Sequence, residues 1–159
     1  MGLGFNVKHG FVATDPNSHK GGTDSWLTPL SIINDLGNDF DLDPCGFEYH
    51  KTAKEIWQLP KCGLTNKWTG KVWLNPPYSQ AKKWLDKMSE HRNGSVLIFS
   101  RTGTLGEFMK DCDHLFFLRK RVKFLDINLE PSKFNPSSDS MILSWGYQDY
   151  SKLNGVQIK

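Results

Sequence analysis

"KVWLNPPYSQAKKWLDKMSEHRNGSVLIFS", residues 71–100, is the stretch whose reading decides the fold. Val72, Trp73 and Leu74 read as a short buried strand, which must stop at Asn75 because Pro76 and Pro77 have no N–H to give a sheet ladder. Ala81, Trp84, Leu85 and Met88 then recur at helical spacing across 79–94, with Gly94 as the expected stop. Lys82, Lys83 and Lys87 fall on the opposite, solvated face. "SVLIFS" (95–100) is a continuous apolar run of strand length, the composition of a parallel strand covered on both faces. Strand, helix and strand in close succession predict a parallel crossover unit.

Working outward, "TPLSIINDLG" (28–37) reads as a short helix. Thr28 is placed to cap it, Pro29 suits its first position, Leu30, Ile33 and Leu36 share a face, and Gly37 ends it. "DFDLDPCG" (39–46) alternates Phe40 and Leu42 with aspartates and breaks at Pro44, so a strand is expected to end near Asp43. "AKEIWQL" (53–59) suggests another short strand. Downstream, Thr104 and Glu107 have the spacing of a capping box opening a helix over "LGEFMKDC". "HLFFL" (114–118), "VKFL" (122–125) and "SMILSW" (140–145) are expected strands. The order predicts a three-layer α/β sheet, mostly parallel, with antiparallel pairing among the C-terminal strands at one edge. The apolar settings of Trp73, Trp84 and Trp145 assign these tryptophans to the core.

The chain has 159 residues, 38% of them hydrophobic, which is enough for one core and too little for two. Residues 1–22, rich in Gly, Asn, Ser and His, are expected to form a flexible arm, and 23–159 a single domain with no separate target-recognition domain. No apolar run reaches the roughly 20 residues of a membrane helix or resembles a signal peptide, so a cytoplasmic protein is expected. Cys45, Cys62 and Cys112 form no Cys-x-x-Cys pair and the five histidines have no ligand spacing, so no metal site is expected. The histidines read as surface or packing residues. A net charge of +3 decides nothing, but Arg119, Lys120, Arg121 and Lys123 crowd one segment. That segment is either a solvated edge strand protected by its cations or a surface for phosphates.

The turn "NPPY" (75–78) has chemistry of its own. Each residue before a proline is held extended, and prolines present carbonyls without competing N–H groups. The Asn75 side-chain oxygen and the Pro76 carbonyl can both accept from one planar amino group, while Tyr78 offers a ring for stacking. A conjugated amine is a poor nucleophile, and two acceptors stabilise the positive charge that develops as it attacks. The alternative is a merely rigid connection. Its place after a parallel strand and before a helix, where open α/β sheets bind ligands, favours the functional reading.

"NPPY" resembles the (D/N)PPY motif of S-adenosylmethionine-dependent amino methyltransferases. Together with "DSWLTP" (24–29), "LDPC" (42–45), "KWTGKVWLNPPYS" (67–79), "IFSRTGT" (98–104) and "RVKF" (121–124), it is similar to the phage-encoded DNA N6-adenine methyltransferase family. The resemblance spans about 23–145 and implies a Rossmann-like methyltransferase sheet with S-adenosylmethionine as cofactor. It implies that Asn75, Pro76 and Tyr78 hold the amine and stack the base, with Pro77 stiffening the turn. Asp43, Pro44 and Cys45 take the cofactor-binding turn after the first strand, and Trp26, Thr28 and Pro29 meet the methionine end of the cofactor. The chain departs from many methyltransferases in having Gly46 alone in place of a glycine-rich loop, and no clear acid for the cofactor ribose; Glu55 and Glu48 are equal candidates.

The implied substrate is double-stranded DNA with the target adenine flipped out. Arg101, Arg119, Lys120, Arg121 and Lys123 are the candidate phosphate contacts, Arg101 being equally explained by a salt bridge within its loop. Sequence preference is expected to be weak or short and to come from loops such as 125–139. Two rivals stand beside this reading: methylation of an RNA base or a protein glutamine by the same turn, and an inactive module that binds DNA or the cofactor.

Overall fold

The structure, a computed structural model, describes residues 26–133, 136 and 138–159. The expected N-terminal arm lies outside the described residues. One seven-stranded sheet runs in the order β2-β1-β3-β4-β6-β5-β7. Its strands are β1 (Leu42–Asp43), β2 (Glu55–Ile56), β3 (Val72–Leu74), β4 (Gly94–Phe99), β5 (His114–Leu118), β6 (Ser140–Trp145) and β7 (Gly155–Gln157). β2, β1, β3 and β4 pair in parallel, and β4, β6, β5 and β7 pair antiparallel.

Strand alternation sends side chains to two faces. Val72, Leu74, Val96 and Ile98 pack with Trp84, Leu85 and Met88 of α2 (Ala81–His91) and with Leu105 and Phe108 of α3 (Thr102–Asp111). Trp73, Leu97 and Phe99 pack on the other face with Ile33 and Leu36, at the end of α1 (Leu30–Asp35). Trp73, Trp84 and Trp145 are fully buried, as their sequence settings implied. Every residue of β4 is buried between parallel β3 and antiparallel β6, which explains its unbroken apolar run.

Several local expectations are corrected. Pro29, not Thr28, takes the N-cap of α1 with no side-chain capping bond, and Leu30 is 40% exposed, off the core face. α2 ends at Arg92 in the left-handed conformation, and Gly94 instead opens β4, where a Cβ would lie 2.2 Å from the Val72 carbonyl oxygen. α3 starts at Thr102 with Arg101 as N-cap, so Thr104 already lies in its first turn and Glu107 pairs with Lys110 at 3.4 Å, leaving no capping box. Lys87 is half-buried rather than solvated: it donates to the Leu64 and Asn66 carbonyls, and burial pulls its pKa down.

Residues 122–125 form no ladder. Val122 and Phe124 are buried, but among the described residues the segment's backbone is tied only by the bridges of Leu125 to Leu27 and Pro131. The strand beside β5 is β7, which sequence reading passes over because its Val156 and the following Ile158 are exposed and give no burial pattern. Antiparallel pairing is present among the C-terminal strands as expected, with β6, β5 and β7 making up one end of the sheet.

Candidate active site

β1 has β2 on one side and β3 on the other, so the sheet order reverses there. The crevice outside the carboxyl ends of such strands is where open α/β sheets hold ligands. Two polar turns meet in it, one after Asp43 and one after Leu74.

In the first turn Asp43 is buried. Its Oδ1 accepts the Cys45 N–H at 3.1 Å and its Oδ2 accepts the Thr52 hydroxyl. Desolvation outweighs these bonds and pushes its pKa up to about 6. Gly46 is required for space: a Cβ would lie 2.7 Å from Asp43 Oδ2. Gly63 supports the turn from behind, where a Cβ would lie 2.1 Å from the Pro44 carbonyl oxygen.

The second turn begins at Asn75, also buried, whose Nδ2 donates to the Trp26 carbonyl at 2.6 Å. A carbonyl only accepts, so this bond fixes the amide orientation and leaves Oδ1 as the acceptor of the turn. The Cys45 thiol donates to the Asn75 carbonyl at 3.7 Å and joins the two turns. Pro76 and Pro77 are buried, and Pro77 is extended (φ −55°, ψ 126°) before a 3-10 turn over Tyr78–Gln80. The Tyr78 ring stacks on Phe99 at the end of β4, with centroids 4.1 Å apart and planes 11° apart. Phe99 meets Phe124 edge-on at 6.5 Å, and Phe124 meets Trp26 at 6.1 Å. A row of rings thus ties the turn to segments 26–29 and 121–125.

Trp26, Thr28, Asp43, Cys45 and Asn75 line one narrow pocket, joined by Gly46, Phe47, His50 and Thr52. Pro29 opens α1 instead, Pro44 packs against Gly63, and Pro76, Pro77 and Tyr78 are not part of its lining. His50 and Thr52 are additions that sequence reading placed in packing or not at all. His50 Nε2 donates to the Thr28 carbonyl at 2.7 Å, bracing the 26–29 segment as Asn75 does. Neither residue carries a periodic signal; only their polarity inside a stretch that must cover β1 could have drawn attention. Glu55 opens β2 rather than closing it, and its carboxylate is engaged by the Trp57 indole and by Lys61 at 3.1 Å. Glu48 is exposed.

The cations reach the same edge by topology. β5 and β4 both run opposite to β6, so Arg119 follows β5 at the edge where Arg101 follows β4. Arg101 is exposed with its guanidinium 5.7 Å from the Phe99 ring, and among the described residues it has no ion pair. Arg119, Lys120, Arg121 and Lys123 are exposed as well. Arg121 is partly engaged, pairing with Asp139 at 3.3 Å and donating to the Pro136 carbonyl at 3.1 Å. Among the described residues no cluster of His, Cys, Asp and Glu could hold a metal, and no helix is long and apolar enough to cross a membrane.

A narrow pocket at the point where strand order reverses lies beside a stiff Asn-Pro-Pro-Tyr turn, at the carboxyl edge of the sheet of an α/β protein. Residues 15–151 match the family model of the DNA N-6-adenine-methyltransferase (Dam), and the chain belongs to that family. It is 35% identical over 80 residues to a DNA N-6-adenine-methyltransferase of Escherichia phage T1, a match covering 44% of this chain and 33% of that relative. The matched part is thus about one third of the curated relative's length. No solved structure matches the chain.

The pocket encloses only about 10 Å³, and the chemistry of two of its residues suits the polar end of the methyl donor such a family uses. Thr28 Oγ1 is buried with no partner among the described residues, and Asp43 carries a carboxylate deprived of water. A hydroxyl lacking a partner and an acid raised by desolvation both suit a ligand bearing an ammonium and further polar groups.

Proposed function

We propose that the chain transfers a methyl group from S-adenosylmethionine to the N6 amine of adenine in DNA. The observation that carries this reading is the fixed Asn75 amide. Its nitrogen is held by Trp26 at 2.6 Å and its oxygen is left to accept, in a turn bonded directly to the Asp43–Cys45 turn.

The helices on both faces support reading the sheet as a three-layer Rossmann-like methyltransferase fold in which the described residues form one domain. S-adenosylmethionine, when bound, supplies a methyl group made electrophilic by a positively charged sulfur. Asp43, with Thr28 and the Trp26–Pro29 segment, holds the polar groups of the donor, and Pro44 and Cys45 shape the turn around it. Asn75 Oδ1 and the Pro76 carbonyl accept the two amine hydrogens of adenine, and Pro77 keeps the turn stiff. As the amine attacks, its nitrogen gains positive charge, and these fixed acceptors stabilise that charge without reorganising. Tyr78, held in place by Phe99, stacks on the base. Holding both partners in line supplies most of the acceleration, with no covalent enzyme intermediate.

An amine paired inside a duplex is out of reach, so the adenine is flipped out. Arg101, Arg119, Lys120 and Lys123 contact phosphates, while Arg121, anchored by Asp139, holds the basic segment in place. A phage-encoded enzyme of this kind acts in the cytoplasm of its host.

The test offers labelled donor to unmethylated DNA, RNA and cell protein in parallel. Label in DNA is expected. Label in RNA or protein alone would keep the chemistry and move the substrate, and label in none would make the chain an inactive binding module.

A further inference from the structure

Beside the pocket, the chain builds a small braced loop over 125–131. Leu125 exchanges both backbone hydrogen bonds with Leu27 at 2.9 Å and bridges to Pro131. Within the loop Asp126 N–H donates to the Glu130 carbonyl at 2.8 Å, and Asp126 Oδ1 accepts from the N–H groups of Asn128 and Glu130. A third tie comes from the loop that lines the pocket: the Tyr49 hydroxyl donates to the Ile127 carbonyl at 2.8 Å.

What this scaffold displays is apolar. Ile127 is 38% exposed and Leu129 is 42% exposed. Leu129 also sits at φ +64°, a left-handed conformation that asparagine or glycine adopts far more cheaply than leucine. Arg119, Lys120, Arg121 and Lys123 lead into the loop and Lys133 follows it, all exposed. Of the carboxylates in the tip, Asp126 is bonded to the loop's own backbone, which leaves Glu130 against those cations.

We propose that Ile127 and Leu129 form a wedge that enters the base stack of duplex DNA next to the target and fills the space left by the extruded base. The proposal rests on the DNA reading given above. A duplex presents anionic phosphates around an apolar stack, and a cation-flanked apolar tip matches both. A protein partner could accept the apolar tip, but it gives no reason for the flanking cations or for bracing the tip against the walls of the pocket. By holding the gap open, the wedge lowers the cost of flipping, a service that single-stranded DNA does not need.

The test is the variant Ile127→Ala/Leu129→Asn, in which asparagine keeps the left-handed position accessible and both side chains are at the surface. Methyl transfer is measured on one unmethylated DNA, native and heat-denatured. The variant is expected to lose about tenfold or more in kcat/KM on the duplex and less than about twofold on single strands, with Tm not lowered. Equal loss on both, loss on neither, or a native chain active on single strands alone overturns the wedge. A native chain that methylates neither DNA overturns the DNA reading itself, and the wedge with it.

Discussion

The parallel and antiparallel halves of the sheet are held together by different means. In the parallel half β1 and β2 have two residues each and β3 three, whereas β4 and β6 have six and β5 five. Strands so short offer few ladder bonds, and the first half is fastened instead by polar side chains: Thr52 on Asp43, Asn75 on Trp26 and His50 on Thr28. In the second half long ladders are backed by buried apolar side chains, and its polar groups bond to one another. Ser95 meets Ser144 at 2.7 Å, Ser144 meets Tyr150, and Gln148 donates to the Leu36 carbonyl at 2.7 Å. The half with the weaker ladder is the one whose polar groups face a pocket. Chemistry should therefore be sensitive to changes on one side of β4 and stability to changes on the other.

The largest effect that would break this division is expected at Asn75. Asn75→Ala removes an acceptor of developing charge and should slow methyl transfer by on the order of a thousandfold. Its cost in stability is that of one lost hydrogen bond, about 1 kcal/mol by thermal unfolding. Global unfolding of the variant would show that the turn holds the fold after all. Leu143→Ala is the converse: Leu143 is fully buried in β6, and the cavity should cost about 3 kcal/mol in urea unfolding. The folded fraction should keep its native rate.

Asp43 sharpens the comparison through pH. Its carboxyl is raised from 3.8 to about 6, so the folded chain holds that proton more tightly than the unfolded chain does. The resulting stability is fully present below about pH 4 and is lost as pH rises through 6, by up to about 3 kcal/mol. Asp41 and Asp111, whose pKa values are lowered by their hydrogen bonds, contribute with the opposite sign. The informative quantity is therefore the difference between the native chain and Asp43→Asn in urea unfolding at several pH values. A difference that does not change between pH 4 and 7 would place Asp43 in water rather than in the pocket wall. The smallest effect is expected at Lys123, where Lys123→Ala should reduce the salt slope of DNA binding by about one counterion and leave transfer at saturating DNA unchanged.

The crossover unit was legible in the sequence because Pro76 and Pro77 end a strand, Trp84, Leu85 and Met88 mark a helix face, and residues 96–99 of β4 are an unbroken apolar run. The place of Asn75 in a turn after a buried strand was legible because the two prolines behind it must end that strand. Residues 122–125 were misread since alternation reports that one side is buried, not that a ladder partner exists. β7 was invisible because a short edge strand with exposed Val156 gives no burial signal at all. Thr28 looked like a helix cap by position, yet its hydroxyl lies in the pocket with no partner among the described residues, and no local rule separates these two uses of a threonine. His50 and Thr52 escaped notice because their roles come from the Thr28 carbonyl and Asp43, partners that only the folded chain brings close.

The most direct measurement is nucleoside analysis of unmethylated duplex DNA after incubation with the chain and S-adenosylmethionine. The turn could hold the amine of cytosine by the same two acceptors, so the product distinguishes what geometry leaves in common. N6-methyladenine is the predicted product; N4-methylcytosine, or methyl groups found nowhere in the DNA, would contradict the account.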